Sequence, residues 1–224
     1  MGREIEIKIP LSQEEYDFIS SVIFCKSFIE GIALLPQSLM HIIKTDEYYS
    51  LYNSREESRK AGEPQVIRIR SEKYERLSAE DADVGNENVN ENGAGEPCEK
   101  SFFCIKRKSL ENGIELNRED ETFVSDANVI RDILNISGYH KFFEKSKDAL
   151  SVYASSCLLK NGTFHIELEK VNNLLYLEVE VTDENLPADK VRSALESFIE
   201  LFSLDSSRRD SRSWMEILQG SSSL

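Results

Sequence analysis

Full charges alternate with branched aliphatics in four short stretches of this sequence. Glu4 and Glu6 lead into Lys8, with Ile5, Ile7 and Ile9 between and after them. Arg68 and Arg70 alternate with Ile67 and Ile69, Glu167 and Glu169 with Ile166 and Leu168, and Glu178 and Glu180 with Leu177, Val179 and Val181. Lys106 and the pair Lys145 and Lys147 extend the basic set. Arg118, in the run Arg118-Glu119-Asp120-Glu121, is read as a further base, with Glu119 and Glu121 as further acids. Arginine forks and lysine point charges suit phosphate oxygens. Clustered carboxylates suit hard divalent cations, Mg²⁺ or Mn²⁺. A ligand that needs both is a polyphosphate carrying its divalent metal. There the metal polarises a phosphoryl group and activates a water or hydroxyl, while the bases hold the oxygens against developing charge. The competing reading is a structural salt-bridge lattice. It is disfavoured because each buried full charge costs several kcal/mol, so such a lattice is a poor way to build a core.

Side chains alternate faces along a strand, so each stretch puts its charges on one face and its aliphatics on the other. If the strands belong to one closed sheet, the charged faces line its inside and helices cover its apolar outside. The intervening sequence supplies those helices. Ser12 and Glu15 form a capping-box pattern ahead of the stripe Tyr16, Ile19, Val22 and Ile23. Ser125 is expected to cap a second helix with the stripe Val129, Ile130, Ile133 and Leu134, ending at Gly138. Pro187 opens a third, carrying Val191, Ala194, Leu195, Phe198, Ile199 and Phe202, and a short last helix carries Trp214. Residues 37–51 read as a strand with Lys44, Asp46 and Tyr48 on one face, and residues 53–63 as a polar loop. Asn112-Gly113, Lys160-Asn161-Gly162 and Asn172-Asn173 are turn signals. The register of 114–124 is left open by its unbroken charge run.

The 224 residues, 40% hydrophobic and 30% charged, suit a globular protein read as one domain over 1–224. No apolar run approaches the roughly 18–20 residues of a membrane span, and no secretory signal is read at the start. Four widely spaced cysteines fit a reduced, cytoplasmic protein. The net charge of −14 argues against long nucleic acid as a partner. Residues 77–99 hold seven acids and no base and read as a disordered insertion.

The order of these motifs resembles the CYTH domain of the triphosphate tunnel metalloenzymes along almost the whole chain. Glu4-x-Glu6-x-Lys8 resembles the N-terminal signature, Asp46-x-Tyr48-Tyr49 the second-strand motif, and Ile67-Arg68-Ile69-Arg70 the paired-arginine strand. Lys106 stands where the next lysine is expected. Lys145-x-Lys147 is similar to a Lys-x-Arg pair with lysine in place of arginine. Glu169-x-Val171 through Glu178-x-Glu180 resembles the acidic hairpin without its glycine, and Ser213-Trp214-Met215-Glu216-Ile217-Leu218 resembles the terminal helix. The Arg-x-Glu-x-Glu strand is matched least well, at Arg118. The resemblance implies an α+β fold, a closed antiparallel barrel of about eight strands with helices outside. It implies a metal-dependent hydrolase of a small triphosphate, whether inorganic tripolyphosphate, thiamine triphosphate or a nucleoside triphosphate, that removes the terminal phosphoryl group. The alternatives are a class IV-type adenylate cyclase, whose His-Phe pair has no counterpart in Met1-Gly2-Arg3, and a non-catalytic polyphosphate- or nucleotide-binding module.

With the residue reading above, the candidate catalytic residues are Glu4, Glu6 and Lys8. The candidate substrate-binding residues are Lys8, Arg68, Arg70, Lys106, Arg118, Lys145 and Lys147. The candidate ligands to Mg²⁺ or Mn²⁺ are Glu4, Glu6, Glu178, Glu180, Glu167 and Glu169. The expected partner is the small triphosphate, with the chain a monomer or homodimer. Trp214, or an aromatic within 48–52, is a candidate stacking surface for an organic ring, against the plainer reading of packing.

Overall fold

The computed structural model describes residues 2–25, 30–63, 66–77, 98–111, 114–159, 162–182 and 186–220. Eight antiparallel strands close a ring. They are β1 (Gly2–Pro10), β2 (Ile32–Ser50), β3 (Val66–Arg76), β4 (Cys98–Glu111), β5 (Ile114–Val124), β6 (His140–Ser156), β7 (Thr163–Val171) and β8 (Leu174–Thr182). Around the barrel the order is β1-β5-β4-β3-β2-β6-β7-β8, and β1 pairs with both β5 and β8 to complete it.

The alternation in the strands turns the usual arrangement of a small barrel inside out. Ile5, Ile7 and Ile9 are at most 2% exposed, yet they lie on the outer face, in a core shared with helices. Helix α1 (Gln13–Cys25) contributes Ile19, Val22 and Ile23, with Ser12 and Glu15 exchanging hydrogen bonds of 2.8 and 3.2 Å at its start. A short helix α2 (Arg55–Lys60) follows β2, and α3 (Ala127–Ile136) follows β5. Helix α4 (Ala188–Leu201) adds Val191, Leu195, Phe198 and Ile199 to the main core, and Phe198 stacks on Phe164 of β7 with ring centroids 4.1 Å apart. Each such side chain contributes about 1.5–3 kcal/mol by leaving water. The charged interior is therefore held by an apolar shell outside it.

Three local expectations change. Residues 53–63 are not a plain loop: α2 forms there because the Ser54 side chain accepts from the Glu57 N–H. The N-cap of α3 is Asp126 rather than Ser125. The stripe of α3 is buried only in part: Leu134 packs with Tyr49 and Ile69 and Ile130 is half-buried, but Val129 and Ile133 are exposed because the helix covers only one edge of the β2–β3–β4 face. The Asn172-Asn173 turn joins β7 to β8 as expected, with Asn172 at φ 54°. Asn112-Gly113 and most of the acidic stretch 77–99 lie outside the described residues. No described helix is long and apolar enough to cross a membrane.

Candidate active site

The inner faces of the eight strands bring the alternating charges together. Of the residues expected to act, Glu6, Lys8, Arg68, Lys145, Lys147, Glu167 and Glu169 are buried, and Glu4, Arg70, Lys106, Glu178 and Glu180 are partly so. Arg118 is the correction: it is exposed on the outer face of β5. The pairing of Lys106 with Glu119 and of Arg68 with Cys104 on β3–β4–β5 turns Asn117, Glu119 and Glu121 inward and so turns Arg118 out. A one-residue shift in register exchanges the two faces, and here the pairing decides in favour of the acids.

The interior holds two adjoining cavities. One is lined by Lys8, Arg55, Arg59, Arg68, Arg70, Lys106, Lys145 and Lys147 against only two carboxylates, Glu6 and Glu178. The other is lined by Glu4, Glu6, Glu119, Glu167, Glu178 and Glu180 together with Lys44, Arg68, Arg70, Lys106, Lys147 and His165. Glu6, Glu178, Arg68, Arg70, Lys106 and Lys147 border both, so the two cavities adjoin across these side chains.

On the basic side the organising group is Asp46, which is fully buried. It accepts from Arg70 at 2.6 and 3.1 Å, and Lys145 and Arg68 stand 3.2 and 3.8 Å away. Burial pushes its carboxyl up, but Arg70, Arg68 and Lys145 outweigh this and hold it well below the usual range. Arg68 also reaches Glu119 at 3.0 Å, and Lys106 reaches Glu119 at 2.7 Å. Burial brings Lys145 down to about 8 despite Asp46. Lys8 donates to the Arg212 carbonyl at 2.8 Å, and Lys8 and Lys145 stand 5.8 and 5.5 Å from the Trp214 ring. Ion pairing inside the tunnel is thus extensive. The lattice that the sequence reading set against ligand binding is present inside the barrel.

On the acidic side the carboxylates form two trios, Glu4–Glu6–Glu180 and Glu167–Glu169–Glu178, each with ligand atoms within 4.8 Å of one another. The β1–β8 and β7–β8 pairings create them by setting Glu6 opposite Glu180 and Glu167 opposite Glu178. Burial, then Glu180 and Glu119, pushes Glu4 up to about 8. Burial and Glu178 push Glu169 up to about 7, although Lys147 contacts it. Glu169 Oε2 is buried with no hydrogen-bond partner among the described residues. Crowded, desolvated oxygens of this kind have the right chemistry for a hard divalent cation. A third group, Cys104 with Glu119 and Glu121, is less suited to one, because Arg68 already engages all three.

The rim of the basic half is built from α2 and from α5 (Trp214–Gly220). Ser213 and Glu216 cap α5 reciprocally, and Arg59 pairs with Glu216 at 3.3 Å. Trp214 packs on Tyr176 with ring centroids 4.8 Å apart and sits with Val171 and Ile217 in a small core of its own. Trp214 is therefore part of the tunnel wall. Of the aromatics within 48–52, Tyr48 also lines this half.

The sequence reading left five contributors without a role. Asp46 and Lys44 were on the correct strand face, but their places as counter-ions depend on which strands meet. Arg55 and Arg59 sit four apart on a helix whose only sequence signal was its Ser54-x-x-Glu57 cap. His165 also went unread, although it alternates in step with Glu167 and Glu169.

No protein-family model matches this sequence, and no curated protein is similar to it at a significant level. Solved structures are similar over nearly the whole chain. PH1819 from Pyrococcus horikoshii OT3 is 17% identical, with 97% of this chain and 99% of that one covered at a TM-score of 0.63. An adenylate cyclase candidate from Vibrio parahaemolyticus is 14% identical, covering 96% and 97% at 0.57. HpAC1 from Hippeastrum, an adenylyl cyclase candidate with a dominant triphosphatase activity, is 12% identical, covering 99% and 96% at 0.55. These neighbours are CYTH-type proteins, and the chain has their fold, a closed antiparallel barrel of eight strands.

Proposed function

We propose that this protein is a divalent-metal-dependent triphosphatase that hydrolyses the terminal phosphoryl group of a small triphosphate inside the barrel. The observation that carries this reading is the polarity of two adjoining cavities inside the barrel: eight bases facing two carboxylates in one, and in the other six carboxylates that include the Glu4–Glu6–Glu180 trio and two members of the Glu167–Glu169–Glu178 trio. A triphosphate bears its charge along a line and takes a cation on the side of its oxygens, so it matches both halves at once. Arg68, Arg70, Lys106, Lys145 and Lys147 would hold phosphate oxygens, and Lys8 would join them near the Trp214 wall. Asp46 would keep Arg68 and Arg70 in place before the ligand arrives, so that their forks need little reorganisation. Glu4, Glu6, Glu180 and the Glu167–Glu169–Glu178 trio would hold Mg²⁺ or Mn²⁺. When bound, the cation supplies Lewis-acid polarisation and lowers the pKa of a bound water. Arg118, on the outer face, has no part in the site.

Hydrolysis is preferred to cyclisation because the walls provide charge for phosphate oxygens throughout, while Trp214 is packed against Tyr176. The dominant triphosphatase activity of HpAC1 is consistent with that preference. The test is incubation with inorganic tripolyphosphate, thiamine triphosphate and ATP, each with Mg²⁺ or Mn²⁺, reading phosphate, pyrophosphate and cyclic AMP. Metal-dependent phosphate release is expected. Pyrophosphate with cyclic AMP would make the protein a cyclase, and tight binding without turnover would make it a binding module.

A further inference from the structure

His165 lies between the two carboxylate trios and belongs to neither. Its Nδ1 is 2.8 Å from Glu180 Oε1, its Nε2 is 2.7 Å from the Ser151 hydroxyl, and Nε2 is also 3.6 Å from Glu167 Oε1. Its ring stacks on Tyr153, with centroids 4.6 Å apart and planes inclined by 23°. A carboxylate only accepts, so Nδ1–H donates to Glu180. That sets the tautomer and leaves Nε2 of the neutral ring to accept from Ser151. Both ring nitrogens are thereby engaged, and neither is presented to a cation. Ser151 is itself 1% exposed, so the imidazole is held at both nitrogens and on one face.

We propose that His165 is a positioning residue for the metal site: anchored by Ser151 and Tyr153, it fixes the Glu180 carboxylate in the orientation that the Glu4–Glu6–Glu180 trio needs, and it links that trio to Glu167 of the other. The inference rests on reading these carboxylates as cation ligands. Among the described residues Glu180 makes no other hydrogen bond or ion pair that would fix its rotamer, whereas Glu6 is held by Asn117 at 2.8 Å and Glu167 by Lys44 and Lys147. Hydrogen-bond partners of metal-ligating side chains typically change metal affinity by about 10- to 100-fold when removed. The expected loss for His165 falls in that range.

The test is direct Mn²⁺ titration of the metal-free protein without any substrate, following free Mn²⁺ by electron paramagnetic resonance. His165→Phe keeps a ring against Tyr153 but removes both nitrogens, and should weaken Mn²⁺ binding by about 10- to 100-fold. His165→Asn returns a donor towards Glu180 and should recover most of the loss. Ser151→Ala leaves the imidazole in place but frees its far side, and should weaken binding by a few-fold. Tripolyphosphate binding measured without metal should be unchanged in all three, since Arg68, Arg70 and Lys145 do not touch His165. Wild-type affinity in His165→Phe, or no recovery in His165→Asn, would overturn the inference and leave the metal site standing. A wild-type protein that takes up no Mn²⁺ would overturn the metal reading, and this inference with it. If His165→Phe does not fold, Ser151→Ala decides: unchanged Mn²⁺ binding would overturn the proposal.

Discussion

Asp46 accepts both Nε and Nη2 of Arg70, at 2.6 and 3.1 Å, in the middle of the wall that carries most of the positive charge. The carboxylate is fully buried and also neighbours Lys145 and Arg68. It therefore restrains three cations that would otherwise repel one another. Asp46→Asn should lower the stability of the ligand-free protein by roughly 3–5 kcal/mol, the cost of leaving buried charges uncompensated. Tripolyphosphate should then stabilise the variant more than it does wild type, because the phosphate replaces the missing counter-charge. Thermal melts with and without tripolyphosphate measure both effects. An unchanged melting temperature for the ligand-free variant would show that the cations do not depend on Asp46.

Glu4→Gln separates stability from activity. With its carboxyl pushed up to about 8 by burial, Glu180 and Glu119, Glu4 holds a proton at neutral pH in the metal-free tunnel. Glutamine resembles that protonated form, so the metal-free melting temperature should hold or rise slightly. Activity should nevertheless fall by about 10²-fold or more in kcat, as should that of Glu6→Gln, because an amide is a poor ligand for the cation. Chelator should abolish turnover in wild type. Full activity in excess chelator would remove the cation from the reaction.

The metal-free protein should lose stability between about pH 6 and pH 8. Unfolded glutamate has already lost its proton in this window, whereas folded Glu4 and Glu169 keep theirs up to about 8 and about 7. The folded state binds more protons, so stability falls as pH rises, by on the order of 2–3 kcal/mol across the window. His165, raised by Glu180 and Glu167 against the effect of burial, acts with the same sign. Asp46, Glu119 and Glu167 are held low, so their stabilising contributions are complete above about pH 5 and lost only below it. Lys145, brought down to about 8 by burial, reverses the slope above that pH. Mg²⁺ competes with these protons, so its stabilising effect should grow from about pH 6 to pH 8. Denaturant titrations with and without Mg²⁺ would show it, and a flat profile would refute the crowding of the two trios.

Arg59 should matter to capture and little to folding. Its pair with Glu216 is 3.3 Å long, and both side chains are substantially exposed. Such pairs contribute about 0–1 kcal/mol. Arg59→Ala should leave stability within that range and raise KM several-fold at low salt, with the difference shrinking as salt screens the rim. A change in kcat alone would place Arg59 at the reacting phosphate instead.

The barrel was legible because its strands alternate so strictly. Ile5, Ile7 and Ile9 against Glu4, Glu6 and Lys8 leave one choice of face once helices are needed outside. Arg118 was misplaced because Arg118-Glu119-Asp120-Glu121 has no apolar partner to break the tie, and only the pairing of Glu119 with Lys106 settles it. Asp46 was seen on its strand, but a buried counter-ion is defined by the three cations around it, and they come from β3 and β6. The stripe on α3 misled because amphipathicity records what a helix is able to cover and not the width of what it meets. The ion-pair lattice and the proposed phosphate binding, opposed as readings of the sequence, fall on the same residues.

The seam between β1 and β8 joins residues far apart in the chain, and the Glu4–Glu6–Glu180 trio exists only across it. A folding chain in which that seam is still open has no such trio, however many hairpins it has formed. Closure at so large a sequence separation is slow in kind. Cation binding at this trio should therefore appear in refolding experiments as a late, all-or-none event that reports ring closure, and a divalent cation should slow unfolding by fastening β1 to β8 across the seam.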